Sequence, residues 1–189
     1  MRKKGINHKK NKIRLILLEG KSDEHFYKSF KKKYAQRELD VFLLGRVQNF
    51  KKINDNIENS IKDLGYKQVW LVLDLKTQKK GTERYYLDKD ELLKEYEENL
   101  KNYNLSDMVV MIQDLESWLL LYFNKYKNTE TIKNAESRIK QLMDIKEITS
   151  KPQVTQWLLK RTDFWDKLIK YKNKNNSFRD FVYRVDPNL

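Results

Sequence analysis

Four carboxylates stand where a chain of this pattern could do chemistry. Glu19 follows the apolar run Ile13–Leu18, Asp74 closes Val69–Leu73, and Asp114 and Glu116 follow Val109–Ile112. Each run has the length and apolar density of a strand buried on both faces. In a parallel sheet the C-terminal strand ends share one edge, which is where α/β folds hold ligands. Carboxylates converging there repel one another and need a cation between them. Oxygen ligands without His or Cys select Mg2+, Mn2+ or Ca2+. Beside a phosphate, such a cation activates a water or stabilises the leaving oxygen of an in-line displacement. The plainer alternative is that strand ends carry Asp and Glu because loops are polar.

Basic residues complete this chemistry. Lys76, Lys79, Lys80 and Arg84 fall in the turn-rich stretch 76–84 after the third apolar run, on the same presumed edge, with Gly81 among them. They read as a phosphate-contacting loop or as a solvated basic loop. The chain has 189 residues, 40 Lys and Arg against 27 Asp and Glu, and a net charge of +13. Residues 1–14 hold seven basic residues and no acid, residues 124–189 hold fifteen against eight, and 15–123 is nearly neutral. Basic flanks around a neutral middle suit a polyanion binder, since Lys and Arg release counterions from phosphates. A Lys- and Asn-rich composition inherited from an AT-rich coding sequence explains the same charge.

Several classes are excluded. No cysteine is present and the only histidines are His8 and His25, so disulfide scaffolds, thiolate zinc sites and cysteine nucleophiles drop out. Walker-type and dinucleotide glycine patterns are absent, which excludes a nucleotide-driven motor on this chain. The longest apolar run, Trp118–Phe123, is six residues, far short of a membrane span, and Leu15–Leu18 is too short for a secretory signal. A cytoplasmic protein is expected, with nucleic acid as its partner and no membrane.

The elements that must position these residues follow from periodicity. Residues 1–12 form a basic arm. Ile13–Leu18 is the first strand, and Ser22 can cap a helix in which Phe26, Phe30 and Tyr34 recur every four residues. Leu39–Leu44 is the second strand. Phe50–Leu64 is a helix with Ile53, Ile57, Ile61 and Leu64 on one face, stopped by Gly65. Val69–Leu73 is the third strand, Asp88–Tyr103 a charged helix, Val109–Ile112 the fourth strand, and Glu116–Phe123 an apolar helix. Alternating β and α with short connections predicts an α/β fold, a mainly parallel four-stranded sheet flanked by helices. Beyond Asn124 the strands stop, and 130–185 reads as three or four short helices. Pro152 starts one of them, and Asn173–Asn176 is a polar break. Trp118, Trp157, Phe164 and Trp165 are assigned to packing, with base stacking by one of Trp157, Phe164 and Trp165 as the alternative. The interleaved aromatic and basic residues of Tyr171–Lys174 and Phe178-Arg179 suit either a nucleic-acid-facing tail or an amphipathic surface helix.

Glu19–Tyr27 (EGKSDEHFY) resembles the first motif of the Toprim domain, the topoisomerase–primase fold. Val69–Leu75 (VWLVLDL) falls where that family has a strand ending in Asp-x-Asp, and Gln113–Leu120 (QDLESWLL) resembles the segment after its fourth strand in small stand-alone members. Those members belong with the nuclease-like group related to the overcoming-lysogenization-defect and RloB-type proteins of bacterial defence. The resemblance covers roughly 13–123, so it implies a Toprim-like domain there, a basic arm at 1–12 and a basic helical extension at 124–189. It implies that Glu19 serves as metal ligand or general acid/base, and that Asp23, Asp74 and Glu116 are further ligands for Mg2+ or Mn2+. Gly20 would let a backbone approach closely at the strand-to-helix turn, and Lys21 would meet nucleic acid. Glu116 has a plainer role too, as a first-turn acid favoured by the helix dipole.

One departure matters. Where the family has its second aspartate, this chain has Lys76, in Asp74-Leu75-Lys76. A cation in place of a ligand weakens a second metal site. Either the enzyme works with one metal and Lys76 clamps phosphate or stabilises the leaving oxygen, or catalysis is lost and a binding surface remains. The expected function is metal-dependent cleavage of phosphodiester bonds in DNA or RNA, in phage defence or nucleic-acid processing. The alternative is a degenerate Toprim protein, a nucleic-acid-binding or scaffold subunit beside a partner ATPase or other defence subunit. Ribosomal-RNA processing is a third class.

Overall fold

Ile13–Leu17 forms β1, and its near-continuous apolar sequence leaves Leu15, Ile16, Leu17 and the following Leu18 all buried. The structure is a computed structural model that describes residues 12–18, 20–35, 39–45, 49–74, 77–80, 83–86, 89–100, 108–129, 135–143 and 150–189. The remaining elements, in chain order, begin with α1 (Lys21–Tyr34), β2 (Leu39–Leu43), α2 (Phe50–Glu58) and β3 (Gln68–Asp74). Next come β4 (Thr77–Lys80), β5 (Glu83–Tyr86), α3 (Lys89–Asn99), β6 (Met108–Gln113) and α4 (Leu115–Leu119). The chain closes with α5 (Ala135–Met143), α6 (Lys151–Leu159), α7 (Phe164–Lys170) and α8 (Asn176–Val185).

The described residues form two compact units, one drawn from Met1–Gly20 and Gln36–Ile112, the other from Lys21–Ala35 and Gln113–Leu189. The division does not follow a single cut at residue 123. Helix α1 and the 113–123 segment fall in with the C-terminal helices.

The first unit is α/β. β1 lies between β2 and β3 in a three-strand parallel sheet, with Ile13 opposite Leu39 and Gln68, and Leu17 opposite Leu43 and Val72. In the strand order, β2-β1-β3-β6, β6 stands next to β3. One face of the sheet, with Ile16, Leu18, Val69, Leu71 and Leu73, packs on Ile53 and Ile57 of α2 and on Leu100 after α3. Phe50, Leu93 and Tyr96 close that layer, the Phe50 and Tyr96 rings meeting edge to face at 5.1 Å. Asn49 caps α2, its side chain accepting from the Lys51 amide at 2.8 Å.

The helix predicted through Leu64 changes its winding. Over Asn59–Asp63 the ladder widens to a π-type turn, with the Leu64 amide donating five residues back to Asn59 O at 2.9 Å. Buried Ser60 donates its hydroxyl to Asn56 O at 2.5 Å, a back-bond of the kind that bends helices. Gly65 then stops the helix at φ +67°, a left-handed conformation that favours glycine.

At the start of the sheet the Arg14 guanidinium lies over the rings of Phe42 (4.6 Å) and Tyr66 (5.1 Å). The Tyr66 hydroxyl donates to Asp40. Burial first, and then this carboxylate, push the Tyr66 phenol above its ordinary pKa.

The stretch expected as a basic loop is instead a hairpin. β4 pairs antiparallel with β5, Lys79 opposite Arg84 and Lys80 opposite Glu83. Thr77, Tyr85 and Tyr86 favour strand.

The second unit is helical with an aromatic core. The four-residue stripe of α1 sets Phe26 against Trp165 at 5.1 Å and Trp118 at 5.8 Å, and Phe30 against Phe181 at 4.9 Å. Trp118 and Phe181 stack at 5.7 Å with planes 23° apart. Both buried indoles satisfy their N–H groups, Trp118 on Ser177 Oγ at 2.8 Å and Trp165 on Ser29 Oγ at 3.1 Å. Trp157 is only half-buried, with the Arg161 guanidinium 3.7 Å from its ring centre.

Ser22 is not the cap of α1, since the helix begins one residue earlier and Ser22 is buried within its first turn. The apolar helix after β6 starts at Leu115 and tightens into a 3-10 turn over Leu120–Phe123, closed by Asn124 at φ +53°. The polar break resolves into a 3-10 turn at Lys172–Lys174 and the cap Asn175. The Asn175 side chain accepts from the Phe178 amide at 2.9 Å and donates to Thr129 O at 2.7 Å.

Candidate functional site

In the sheet unit β1 and β3 run parallel and end on the same edge, β3 two residues further along. Leu17 is opposite Val72, and the Leu18 amide donates to Val72 O at 3.2 Å. Asp74 ends β3 two residues beyond Val72, the same interval that separates Glu19 from Leu17 in the sequence. Glu19 lies outside the described residues, as does Lys76, and Asp74 is described in its backbone. At the same end the Leu17 carbonyl accepts from the amides of Leu44 (2.9 Å) and Gly45 (3.2 Å). Gly20 has open space where a Cβ would stand, with no heavy atom within 4 Å. The protein itself therefore does not demand glycine there. Lys79 and Lys80 sit in β4 and Arg84 in β5, paired in register rather than strung along a loop.

In the helical unit Asp23 and Glu116 each occupy the first turn of a helix. The two helices touch through Phe26 and Tyr27 against Trp118. Asp23 is buried, at 1% exposure. The Glu116 carboxylate meets the Lys151 ammonium at 2.6 Å, with side chains 13% and 30% exposed. Asp114 is occupied structurally as the cap of α4, accepting from the Ser117 amide at 3.3 Å and hydroxyl at 2.6 Å. Lys21 is exposed at the start of α1. His25 is half-buried, and its Nδ1 lies 3.3 Å from the side-chain Nε2 of Gln156 on α6.

Lys151 is the residue that sequence reasoning missed. It opens α6, where Ser150 and Gln153 form a capping box: the Ser150 amide and hydroxyl donate to Gln153 Oε1 at 3.1 and 3.0 Å. A cation at the positive end of a helix opposes the macrodipole and calls for an anionic partner. That was the available signal, once Ser150-Lys151-Pro152-Gln153 is read as a helix start.

Among the described residues no group of three or more His, Asp or Glu side chains comes together. In donor chemistry the oxygen-only carboxylates fit a hard divalent cation, but Glu116 already has its charge balanced by Lys151. Also among the described residues, no helix is long and apolar enough to cross a membrane. The chain matches no protein-family model, no curated protein and no solved structure. What the structure defines on its own is an α/β unit with a three-strand parallel sheet and a second, helical unit.

Proposed function

We propose that the chain is a Toprim-like, Mg2+- or Mn2+-dependent nuclease that cleaves phosphodiester bonds in DNA or RNA. The observation that carries this reading is the β1–β3 register, in which Leu17, the last residue of β1, is opposite Val72, two residues before β3 ends at Asp74. Parallel α/β sheets bind ligands at that edge. On this proposal Glu19 and Asp74 are the principal metal ligands, and Asp23 and Glu116 are further ligands. The metal supplies charge neutralisation at the phosphate and an activated water. Glu19 assists proton transfer, while Lys76, Lys79, Lys80 and Arg84 hold phosphate, with Gly20 and Lys21 beside the backbone. A cytoplasmic role in phage defence or nucleic-acid processing, with a partner ATPase or other defence subunit, follows from the family analogy alone.

The Glu116–Lys151 pair favours a second reading, a degenerate Toprim protein that binds nucleic acid as a subunit of a larger complex. The deciding experiment is cleavage of supercoiled plasmid, single-stranded DNA and structured RNA in Mg2+, Mn2+ or EDTA, beside Glu19→Ala and Asp74→Ala. Metal-dependent cutting that falls about 10²–10³-fold in both variants is expected. Wild-type protein that binds all three substrates but cuts none of them leaves the degenerate binder.

A further inference from the structure

The helical unit gathers a second set of groups from two stretches distant in sequence. Lys174 donates its ammonium to Asn124 Oδ1 at 2.5 Å and to Tyr126 O at 3.1 Å, and Lys174 O accepts from the Thr129 amide at 2.9 Å. These bonds hold the segment 124–129 against the turn 170–175. Lys125, Lys127 and Lys170 are exposed on the joined surface, and Lys172 and Lys174 are partly so. Lys167 and Arg179 pair with Asp163 and Asp180, and between them the sequence has Lys170, Lys172 and Lys174 and no acid.

Aromatic rings are interleaved with these charges. The ammonium groups of Lys170 and Lys174 each lie 5.4 Å from the Tyr171 ring centre, and that of Lys172 lies 4.8 Å from Tyr183. The Arg138 guanidinium lies 5.6 Å from the Tyr126 ring. Tyr183, at 42%, is the exposed large hydrophobic side chain among the described residues. Lys172 also donates to Leu189 O.

We propose that this surface, built from Lys125, Lys127, Lys170, Lys172 and Tyr183, binds single-stranded nucleic acid. Lysines unopposed by acids in the sequence track a phosphate backbone, and an exposed ring flanked by a cation offers a platform to an unpaired base. Duplex bases are already stacked and cannot use the ring. An anionic membrane needs an apolar face to bury, and one tyrosine does not supply it. The surface extends the nucleic-acid part of the proposed function and needs no metal, so it stands or falls separately from cleavage.

The test is fluorescence anisotropy of the full chain with labelled 20-nucleotide oligo(U) and oligo(dT), a duplex of equal length and phosphatidylserine vesicles, all in EDTA. Lys125, Lys127, Lys170 and Lys172 are changed together to Gln. Lys174 is left intact because its bonds hold the loop. A control removes four exposed lysines of the sheet unit, Lys51, Lys52, Lys67 and Lys94, also to Gln, giving the same net charge. The surface variant is expected to bind the single strands at least about tenfold more weakly, and its log K against log salt slope to flatten by roughly 2 to 3. Tyr183→Ala alone should cost about tenfold on single strands and leave the duplex unchanged. An equal loss in the control set, preference for duplex or vesicles, or no single-strand binding by wild type overturns the proposal. Asp74→Ala in the same assay should bind like wild type, which separates this surface from the proposed cleavage site. Oligo(U) against oligo(dT) then tells RNA from DNA.

Discussion

The two units build their interiors from different residues. The sheet unit is closed mainly by aliphatic side chains, Ile16, Leu18, Ile53, Ile57, Val69, Leu71 and Leu73, with buried Trp70 and the Phe50–Tyr96 pair beside them. The helical unit also buries leucines, but its centre is a cluster of rings, Phe26, Tyr27, Phe30, Trp118, Phe164, Trp165, Phe178 and Phe181. The sheet's aliphatic residues come from runs that announce themselves locally. The rings come from α1, α4, α7 and α8, which are far apart in the chain. Few large side chains suffice to knit such distant segments, because each ring buries a large area and touches several others at once. The cost is that each ring is hard to replace.

That difference sets the order of expected effects. Trp118→Ala should be the most damaging, about 3–5 kcal/mol, since it empties the centre of the ring cluster and strands Ser177. Hydrogen exchange should show α1, α4 and α8 losing protection while β1–β3 amides keep theirs. If the strands lose protection equally, the units are not separate in packing. Leu71→Ala is expected to cost about 2–4 kcal/mol by denaturant melts, with the pattern of lost protection reversed.

Asn175→Ala removes the cap of α8 and the bond to Thr129 O, and should cost about 1–2 kcal/mol in the same melts. A smaller effect tests the site instead. Because nothing crowds the missing Cβ, Gly20→Ala should leave the melting temperature nearly unchanged. A loss of cleavage without a loss of stability would then show that a ligand approaches that backbone.

The smallest expected effects are in pH. Burial is the main cause holding the Tyr66 and Tyr96 phenols of the sheet unit above their ordinary pKa of 10.0, and it raises Tyr34 of the helical unit in the same way. A raised pKa means that the folded state favours the neutral phenol. Its stability is complete below pH 10 and is lost as pH rises through the folded value. Tyr96→Phe should therefore move the onset of alkaline unfolding upward, as followed by circular dichroism. On the acid side, the Lys167 hydrogen bond lowers the Asp163 pKa from 3.8. That contribution is present above 3.8 and fades as pH falls through the folded value, and it is slight because the pair is exposed.

Much of this was legible locally. Ile13–Leu18 and Val69–Leu73 show as buried strands because their apolar runs are continuous, and Gly65 shows as a stop because a left-handed residue is cheapest as glycine. The spacing of Phe26, Phe30 and Tyr34 shows which face of α1 turns inward. Other features were not legible. The hairpin at 77–86 was hidden by its lysines, which mask the strand preference of Thr77, Tyr85 and Tyr86. The Glu116–Lys151 pair joins residues 35 positions apart, and no local period reports such a pairing.

The sequence by itself determined β1, β2, β3 and β6, most helix faces and the placing of charge, because backbone preference and hydrophobic period act over a few residues. Tertiary structure alone decided that α1 belongs to one compact unit with 113–189, although it lies in sequence between β1 and β2. It also decided that Lys151 neutralises Glu116, and that 124–129 lies against 170–175. Those outcomes depend on which buried surfaces and opposite charges meet after the chain has closed its long loops. The gain of such contacts depends on the whole fold, and no window of sequence contains it.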